Sequence, residues 1–421
     1  MTARAVVTGI GVVAPTGVGA DAHWDAVLAG TRRTGPITLF DPAGYPTRIA
    51  GEVPDFDPAG FTDTRQRVQT DRWTHLGFAA TRLALADAGL PEEAPDPYQW
   101  AVTLASSSGG NLFGQRELQR LWGGPSRTVG AYQSIAWFYA ASVGQLSIRH
   151  QLKGPCGVTV SESAGGLDSL AHAVRTIRRG TPLVVAGATE CPLSPYALAC
   201  QLRSGLLSDV ADPELAYRPF DAGAAGYVPA EGGAVFVVEE LGHALSRGAR
   251  IYGEITGWAA THDAAPTDPG AGPDPTHYAR ALRLALDRAA VRPHDVDVIW
   301  PDALGVPAYD RAEAAALRAV FGATTPAVTT QKPLTGRAHQ GGSALDAATA
   351  LLAFHHGLLP ASAGPEQPAP GCELTFLRRS RPPRSRIALV GARGFDGFNS
   401  AVVLRGAAPP PRELVGAGAR G

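Results

Sequence analysis

The chain has 421 residues, of which 45% are hydrophobic and 18% are charged, and its formal net charge is -1. This length exceeds one ordinary hydrophobic core, so we expect two domains or a large duplicated unit. The near-neutral charge gives no reason to expect nucleic acid or an anionic membrane as a partner. No apolar run reaches the roughly 18 residues of a membrane span, and no signal-peptide pattern opens the chain. We therefore expect a cytoplasmic protein.

Alternating strand and helix patterns predict an α/β protein. In chain order, the predicted strands cover residues 5–8, 101–105, 157–160, 183–186, 234–239, 253–259, 296–300, 327–329, 387–391 and 401–405. The predicted helices cover residues 22–28, 71–88, 166–178, 276–289, 312–321 and 343–354. Gly89, Gly180 and Gly357 lie just past three of these helices, where C-cap glycines are common. Residues 260–274, rich in proline, glycine and aspartate, are predicted to form an exposed loop.

A weak internal repeat divides the chain into two halves. Residues 163–168 (SAGGLD) and 340–346 (QGGSALD) each follow a strand-like run and open a helix. We therefore predict three regions, which are a first domain over residues 1–241, a second domain over residues 250–406 and a flexible tail over residues 407–421.

Cysteines and lysines are both scarce. The four cysteines show neither paired spacing nor flanking histidines, which argues against disulfides and zinc and predicts free thiols; they are Cys156, Cys191, Cys200 and Cys372. No cofactor site is recognisable. Lysine occurs only at Lys153 and Lys332, and Lys332 lies within one of the segments that carry the functional argument.

Three segments hold the chemically informative residues. They are residues 158–168 (VTVSESAGGLD), 300–310 (WPDALGVPAYD) and 332–342 (KPLTGRAHQGG). Together they resemble the active-site blocks of β-ketoacyl synthases, which carry a nucleophilic cysteine, a histidine in a His-Gly-Thr motif, and a lysine followed by Gly-His. Here Ser163, Asp302 and Arg337 stand at the cysteine and the two histidine positions. Lys332 and Gly336 are retained.

This pattern resembles the chain length factor, or ketosynthase β-subunit, of type II polyketide synthases, over residues 3 to about 405. The resemblance implies a thiolase-like duplicated αβαβα layered fold. It also implies a non-condensing subunit that forms a heterodimer with a ketosynthase α-subunit, works with an acyl carrier protein and sets the length of the polyketide.

The replaced positions do not support decarboxylative condensation. A cysteine at a helix N-terminus has a lowered pKa, whereas a serine hydroxyl requires an adjacent base. Arg337 cannot act as that base, and an ionised Asp302 would repel a developing enolate. We predict a vestigial site in which Asp302 and Arg337, which face each other in the synthase frame, form a buried ion pair. The alternative is that Ser163, Arg337 and Lys332 still bind a malonyl carboxylate or assist its decarboxylation.

The resemblance also assigns a tunnel and an interface. Residues 109–118 match the helix that lines the polyketide tunnel, and the tunnel-facing positions, spaced i, i+3 and i+7, are Asn111, Gly114 and Leu118. Because none of these is a bulky aromatic residue, we predict a roomy tunnel and a comparatively long product. Residues 132–139 resemble the dimer-interface segment, with candidate interface positions at Tyr132, Gln133, Trp137 and Phe138.

Several neighbouring residues receive more modest roles. Phe395 and Asp396 lie in a segment similar to the loop that gates the acyl tunnel, where Asp396 replaces a glycine. Glu231 lies in a turn similar to the family's Gly-Glu-Gly turn and is predicted to accept backbone N–H groups. His339 is predicted to be a surface or packing histidine. Three arginines on or just past the helix after Ser163 could meet an acidic carrier protein or face solvent; they are Arg175, Arg178 and Arg179.

Three other functions were weighed. Residues 162–166 are similar to a carboxylesterase nucleophile elbow, and the order Ser163, Asp302, His339 fits a serine esterase of the α/β-hydrolase type. Against it, the first elbow glycine and a preceding oxyanion motif are missing. Residues 9–14 (GIGVVA) are a weak nucleotide-binding match. The third alternative is a self-sufficient β-ketoacyl-ACP synthase that uses Ser163.

Overall fold

The structure, a computed structural model, describes residues 3–125, 127–264 and 272–407. Within these residues the strands are β1 (Ala5–Ala14), β2 (Gly17–Val18), β3 (Thr34–Pro36), β4 (Ile49–Gly51), β5 (Trp100–Ala105), β6 (Cys156–Thr159), β7 (Leu183–Glu190), β8 (Gly232–Glu240), β9 (Gly253–His262), β10 (Val298–Trp300), β11 (Ala327–Val328), β12 (Ile387–Arg393) and β13 (Phe398–Gly406). The α-helices are α1 (Ala20–Leu28), α2 (Thr64–Gln69), α3 (Arg72–Asp87), α4 (Asn111–Gly123), α5 (Gln133–Ala136), α6 (Ala141–His150), α7 (Gly165–Arg178), α8 (Pro195–Leu202), α9 (Leu241–Ser246), α10 (Pro275–Arg288), α11 (Pro307–Phe321), α12 (Lys332–Thr335) and α13 (Gln340–His355).

The sheet topology shows that the two halves repeat one plan. The main sheet has the order β11-β10-β12-β13-β9-β1-β8-β7-β5-β6. In the first half, β1 lies beside β8, and the mutually parallel strands β7, β5 and β6 follow in that order. In the second half, β9 lies beside β13, and the mutually parallel strands β12, β10 and β11 follow in the same arrangement. The halves join where β1 pairs antiparallel with β9, with Val6 opposite Glu254. The internal repeat in the sequence therefore corresponds to a structural duplication.

The two sheet halves enclose a central helical layer formed by α7 and α13. Side chains of both helices share one buried cluster with inward-facing residues of β8 and β13, such as Phe236 and Val402. The alternate residues of the same strands, such as Val237 and Val403, contact α3 on one outer face and α10 on the other. Strands that are buried on both faces explain the continuous apolar runs in the sequence. The result is the predicted αβαβα layered fold.

Glycines on β1 bring the outer helix α3 close to the sheet. A Cβ atom on Gly9 would lie 2.2 Å from the Ala84 carbonyl oxygen, and one on Gly11 would lie 1.9 Å from the Ala80 carbonyl oxygen. Only glycine permits this approach. The glycines of the weak nucleotide-binding match therefore lie inside a strand and pack against a helix, so they do not form a phosphate-binding loop.

The predicted elements exist, but several boundaries were wrong. Strand β1 extends six residues beyond the predicted end at residue 8, and α11 begins at Pro307 rather than at residue 312. Part of the predicted loop, Ala260–His262, belongs to β9, while residues 265–271 lie outside the described residues, as do residues 408–421 of the predicted tail. The four cysteines are free. None of the helices in the described ranges is long and apolar enough to span a membrane.

Candidate functional site

The candidate site forms where the N-terminal ends of α7 and α13 meet. A Cβ atom on Gly166 would lie 2.3 Å from the Gln340 carbonyl oxygen, so glycine is required for this close approach. A 3₁₀ turn, Glu162–Ala164, precedes α7, and His339 directly precedes α13. The packing of the two repeats therefore brings Ser163 and His339, which are far apart in sequence, to the same place.

Ser163 is buried and has no activating base. Its hydroxyl donates a hydrogen bond to Glu162 Oε1 at 2.8 Å, and the residue is 2% exposed. Burial by itself would raise the pKa of Glu162, but the hydrogen bond with His339 and the nearby charges of His339 and Arg337 outweigh it and lower the pKa to about 2. A carboxylate with so low a pKa is a poor acceptor for a serine proton. Ser163 is consequently not an activated nucleophile.

Glu162 and His339 form a contact that the sequence analysis missed. His339 Nδ1 lies 2.5 Å from Glu162 Oε1, and His339 Nε2 lies 3.1 Å from Gln201 Oε1. Glu162 Oε2 also accepts a hydrogen bond from the Phe395 backbone N–H at 2.8 Å. The backbone φ angles of Glu162 and His339 are both 46°, an uncommon conformation for residues other than glycine. His339 is therefore part of the site, whereas the sequence predicts a surface or packing residue.

The low pKa of Glu162 predicts a specific dependence of stability on pH. The folded state lowers this pKa from the ordinary 4.5 to about 2, so its contribution to stability is present above pH 4.5 and is lost as the pH falls towards 2. We expect Glu162→Gln to destabilise the chain by about 2–3 kcal/mol at neutral pH. Urea unfolding of both proteins between pH 7 and about pH 3 should show the difference shrinking, and a difference independent of pH would contradict the assignment.

Asp302 and Arg337 form the expected buried ion pair. Asp302 follows β10. Arg337 follows α12 and forms an isolated β-bridge with Pro229 through its backbone. Arg337 Nη2 lies 3.1 Å from Asp302 Oδ1, and both side chains are at most 5% exposed. Arg337 also donates hydrogen bonds to the carbonyl oxygens of Asp302 and Arg393. Burial would lower the pKa of Arg337, but the charge of Asp302 raises it, so the guanidinium stays charged.

Lys332 is occupied by other partners. Its Nζ atom donates a hydrogen bond to the Pro301 carbonyl oxygen at 3.2 Å and forms a buried ion pair with Asp346. A cavity of about 350 Å³ lies in front of the Asp302–Arg337 pair, and its wall includes Arg337 but neither Lys332 nor Ser163. The three groups of the malonyl-binding alternative therefore do not line one common surface.

The loop at the mouth of this cavity contains Phe395 and Asp396. Phe395 lines the cavity and is 38% exposed. Asp396 has a φ of 62° and a ψ of 22°, which is the left-handed helical region. Glycine adopts this conformation without strain, and aspartate tolerates it better than most other residues. This backbone conformation therefore explains why the family's gating loop has a glycine at the position that Asp396 occupies here.

The predicted tunnel positions lie on α4, but they differ in exposure. Asn111 and Gly114 are buried, whereas Leu118 is 41% exposed. A Cβ atom on Gly114 would lie 2.8 Å from Trp137 Cδ1, so the indole of Trp137 occupies the space that a side chain at residue 114 would take. The missing side chain at Gly114 therefore does not by itself widen the predicted tunnel, because Trp137 fills the space beside it.

The predicted interface segment is largely exposed. Tyr132, Trp137 and Phe138 are 38–50% exposed, and Gln133 is half-buried. The rings of Phe138 and Tyr139 are 4.6 Å apart. An aromatic cluster that remains open to solvent is typical of a protein interaction surface.

Glu231 has the predicted structural role and two side-chain partners, which are Arg72 and Cys191, whose thiol donates a hydrogen bond to Glu231 Oε2 at 3.1 Å. Its carboxylate accepts a hydrogen bond from the Val53 backbone N–H at 2.9 Å. It also forms a two-point ion pair with Arg72, with both distances 2.7 Å. This buried contact fixes the start of α3 against the turn before β8.

The serine esterase alternative is not supported by the geometry. Both ring nitrogens of His339 have partners other than Ser163. Asp302 pairs with Arg337 rather than with a histidine. The residues that follow the order of a hydrolase triad therefore do not assemble into one.

Comparisons with protein families match the two halves of the duplicated fold separately. Residues 2–244 match the family "Beta-ketoacyl synthase, N-terminal domain", and residues 252–366 match the family "Beta-ketoacyl synthase, C-terminal domain". The chain therefore belongs to the β-ketoacyl synthase family.

Its relatives include subunits of polyketide synthases. The chain is 51% identical, over 96% of its own length and 98% of the relative, to the tetracenomycin polyketide synthase ketoacyl synthase beta subunit of Streptomyces glaucescens. It is 46% identical, over 96% of its length and 99% of the relative, to the actinorhodin polyketide putative beta-ketoacyl synthase 2 of Streptomyces coelicolor.

Two solved structures are similar over almost the whole chain. The ishigamide ketosynthase/chain length factor matches with a TM-score of 0.90 and 28% identity, covering 97% of this chain and 100% of that chain. The second match is a chain of the structure described as a type II polyketide synthase acyl-carrier protein in complex with its ketosynthase bound to the hexaketide. Its TM-score is 0.86 at 25% identity, and the match covers 97% of this chain and 100% of that chain. The resemblance to ketosynthase β-subunits found in the sequence is thus confirmed.

Proposed function

We propose that this chain is the non-condensing chain length factor of a type II polyketide synthase. The observation that carries the proposal is the state of the three chemical positions. Asp302 and Arg337 neutralise each other at 3.1 Å inside the protein, and the Ser163 hydroxyl only donates a hydrogen bond to Glu162, a carboxylate that is a poor base. The frame of a ketosynthase is preserved while its chemical groups are replaced.

The loss of condensing activity follows from the chemistry. Acyl transfer from a carrier requires a thiolate or an activated hydroxyl, and decarboxylation of malonyl requires donors that stabilise an enolate oxygen. Ser163 is neither, and Arg337 already directs its donors to Asp302 and to backbone carbonyl groups. We therefore assign the chemistry to a partner subunit and the shaping of the product to this chain.

The partner in this proposal is a ketosynthase α-subunit. Strand β6 is at the end of the main sheet and pairs only with β5 among the described strands, so one side of its backbone is open to pairing. The exposed aromatic residues around Trp137 lie on the segment that leads towards this strand. Both features support a heterodimer, and the relative described as a ketosynthase/chain length factor has that composition by name.

An acyl carrier protein would deliver malonyl units and hold the growing polyketide, which would extend past Asn111, Gly114 and Leu118 on α4. The four free cysteines suit the reducing environment of the cytoplasm, where we place the complex.

The proposal is tested by reconstitution. The chain is co-expressed with its cognate ketosynthase α-subunit, purified as a complex and supplied with carrier protein and a malonyl donor, and the products are analysed by mass spectrometry. We expect a polyketide only when both chains are present. Polyketide formation by this chain alone would overturn the proposal.

Two substitutions at Ser163 separate the possible roles of the site. Ser163→Ala should leave the product and its yield unchanged within about twofold, because the hydroxyl has no catalytic task. Ser163→Cys should not create condensing activity in the isolated chain, because Asp302 and Arg337 still occupy the two histidine positions. Labelling of the wild-type chain by a fluorophosphonate probe, or malonyl decarboxylation lost in Ser163→Ala, would show that the site is still reactive.

A further inference from the structure

A row of basic residues lies on one side of α7 and just past its C-terminal end. His172, Arg175 and Arg179 are spaced i, i+3 and i+7, so they share one helical face. Arg175 and Arg179 are exposed. Two more exposed arginines, Arg178 and Arg288, adjoin this row, and we call these five residues the basic stripe.

Two arginines of the basic stripe contact Trp258 of β9. The guanidinium of Arg178 lies 4.7 Å from the centre of the Trp258 ring. Arg288 Nη1, from the end of α10, donates a hydrogen bond to the Trp258 carbonyl oxygen at 2.6 Å. The positive charges therefore come from two helices that converge on one strand.

The arginines of the basic stripe form no ion pair within the described part of the chain. None of its arginines lies within ion-pair distance of a carboxylate there. Burial lowers the pKa of Arg175, Asp168 opposes this, and the charges of Arg179 and Arg288 lower it further. The pKa of His172 is also lowered, by burial first and then by Arg175 and Arg179. Mutual repulsion of this kind is relieved when acidic groups approach.

The basic stripe is next to the open edge of the sheet. A Cβ atom on Gly157 of β6 would lie 2.7 Å from His172 Cε1, and His172 Nδ1 lies 3.1 Å from Thr103 Oγ1 of β5. Glycine at residue 157 thus lets His172 lie directly against the edge strand. A protein that pairs with β6 would meet the basic stripe at the same time.

We propose that the basic stripe is an electrostatic selector that binds acidic side chains of the condensing subunit and disfavours pairing of this chain with itself. This inference rests on the proposed function. A homodimer formed through β6 would be isologous, so each copy would present the same patch to the other. The two stripes would then bring like charges together, which costs affinity, whereas an acidic partner surface gains it.

The position of the basic stripe favours the condensing subunit over a carrier protein. Arg175 lies twelve residues along the helix from Ser163, or about 18 Å at the rise of an α-helix. None of its residues lines the cavity in front of Asp302 and Arg337. The stripe is therefore at the end of α7 away from the site and beside the open strand.

The test compares Arg175→Glu/Arg179→Glu with the wild-type chain. We expect the affinity for the cognate condensing subunit, measured by biolayer interferometry at low ionic strength, to fall by about 10-fold to 100-fold. The deficit should shrink in about 0.5 M salt, because surface charges are screened. The matched control is Arg280→Glu/Arg379→Glu, two exposed arginines elsewhere with the same change of charge, and it should bind within twofold of wild type.

A second variant tests self-pairing. Arg175→Ala/Arg179→Ala removes the repulsion without reversing it, and we expect a larger fraction of homodimer than in the wild-type chain by analytical ultracentrifugation. Circular dichroism melting shows whether each variant folds, and Arg179→Glu alone, at an exposed position, provides a milder form of the first test.

The outcomes separate this inference from the proposed function. Failure of the wild-type chain to bind the condensing subunit would remove the proposed function. Binding by wild type and by the charge-reversed variant with equal affinity would overturn the basic stripe as a selector while leaving the proposed function intact. A charge-reversed variant that still forms the heterodimer, but in which the complex no longer accepts polyketide from the carrier protein, would overturn the selector role and indicate a carrier-binding surface instead. An unchanged homodimer fraction in the alanine variant would overturn the second half of the inference.

Discussion

Replacing Asp302 by alanine is expected to destabilise the protein by about 3–5 kcal/mol, because the change leaves the Arg337 guanidinium buried without its counter-ion. Arg337 is only 3% exposed and cannot lose its proton to escape the penalty. Its hydrogen bonds to the Asp302 and Arg393 carbonyl oxygens do not neutralise the charge, and the next carboxylate that acts on it, Glu162, already pairs with His339. Urea unfolding of the purified chain measures the effect.

Two further variants show whether the loss comes from the unpaired charge. Asp302→Leu/Arg337→Met removes both charges and should recover most of the stability, since replacement of a buried pair by apolar residues is often neutral. Asp295→Ala breaks the exposed pair between Arg292 and Asp295 and should have little effect. Equal losses from Asp302→Ala and Asp295→Ala would contradict the expectation that breaking the buried pair costs more than breaking the exposed pair.

Replacing Gly114 by phenylalanine is expected to give a polyketide with fewer extension units. The new Cβ atom would lie 2.8 Å from Trp137 Cδ1, which is closer than side chains approach, so the indole must move. Trp137 is 50% exposed and has room to move outwards. The ring and the displaced indole then both occupy volume beside the predicted tunnel. Product mass from the reconstituted complex measures the change.

The controls for this prediction use the same region of the chain. Gln119→Phe places the same ring at an exposed position of α4 and should leave the product length unchanged. Gly114→Phe/Trp137→Ala removes the indole and should restore the original length if steric displacement is the cause. An unchanged product in a well-folded Gly114→Phe complex would remove the predicted tunnel from this face of α4.

The interplay of Gly114 and Trp137 shows where prediction from the sequence fails. Helical spacing predicts that Asn111, Gly114 and Leu118 share one face of α4, yet Asn111 and Gly114 are buried and Leu118 is exposed. The sequence also gives no signal that a residue 23 positions away fills the space beside Gly114. Periodicity describes a face of one helix, whereas the occupant of that face comes from whichever segment packs against it.

The sequence predicts only part of the candidate site, because the rest depends on contacts between segments that are distant in the chain. The Asp302–Arg337 pair could be expected because the family frame places the two positions opposite each other, and it is present. Glu162 and His339 were missed as a pair because 177 residues separate them. The signal that could have found them is the repeat itself, since SAGGLD and QGGSALD open equivalent helices that must meet if the halves are stacked.

The sequence by itself determined the family, the α/β class, the duplicated plan and the absence of the three usual catalytic groups. These follow from residue identity and from apolar runs that are set locally by burial on both faces of each strand. The tertiary structure alone decided that Lys332 is occupied by Asp346, that Ser163 faces a weakly basic Glu162, and that His172 lies against the open edge beside four arginines. Each of these depends on atoms brought together by the packing of α7 and α13 between two sheets, and the pKa of a carboxylate or the charge of a surface is defined only by such neighbours.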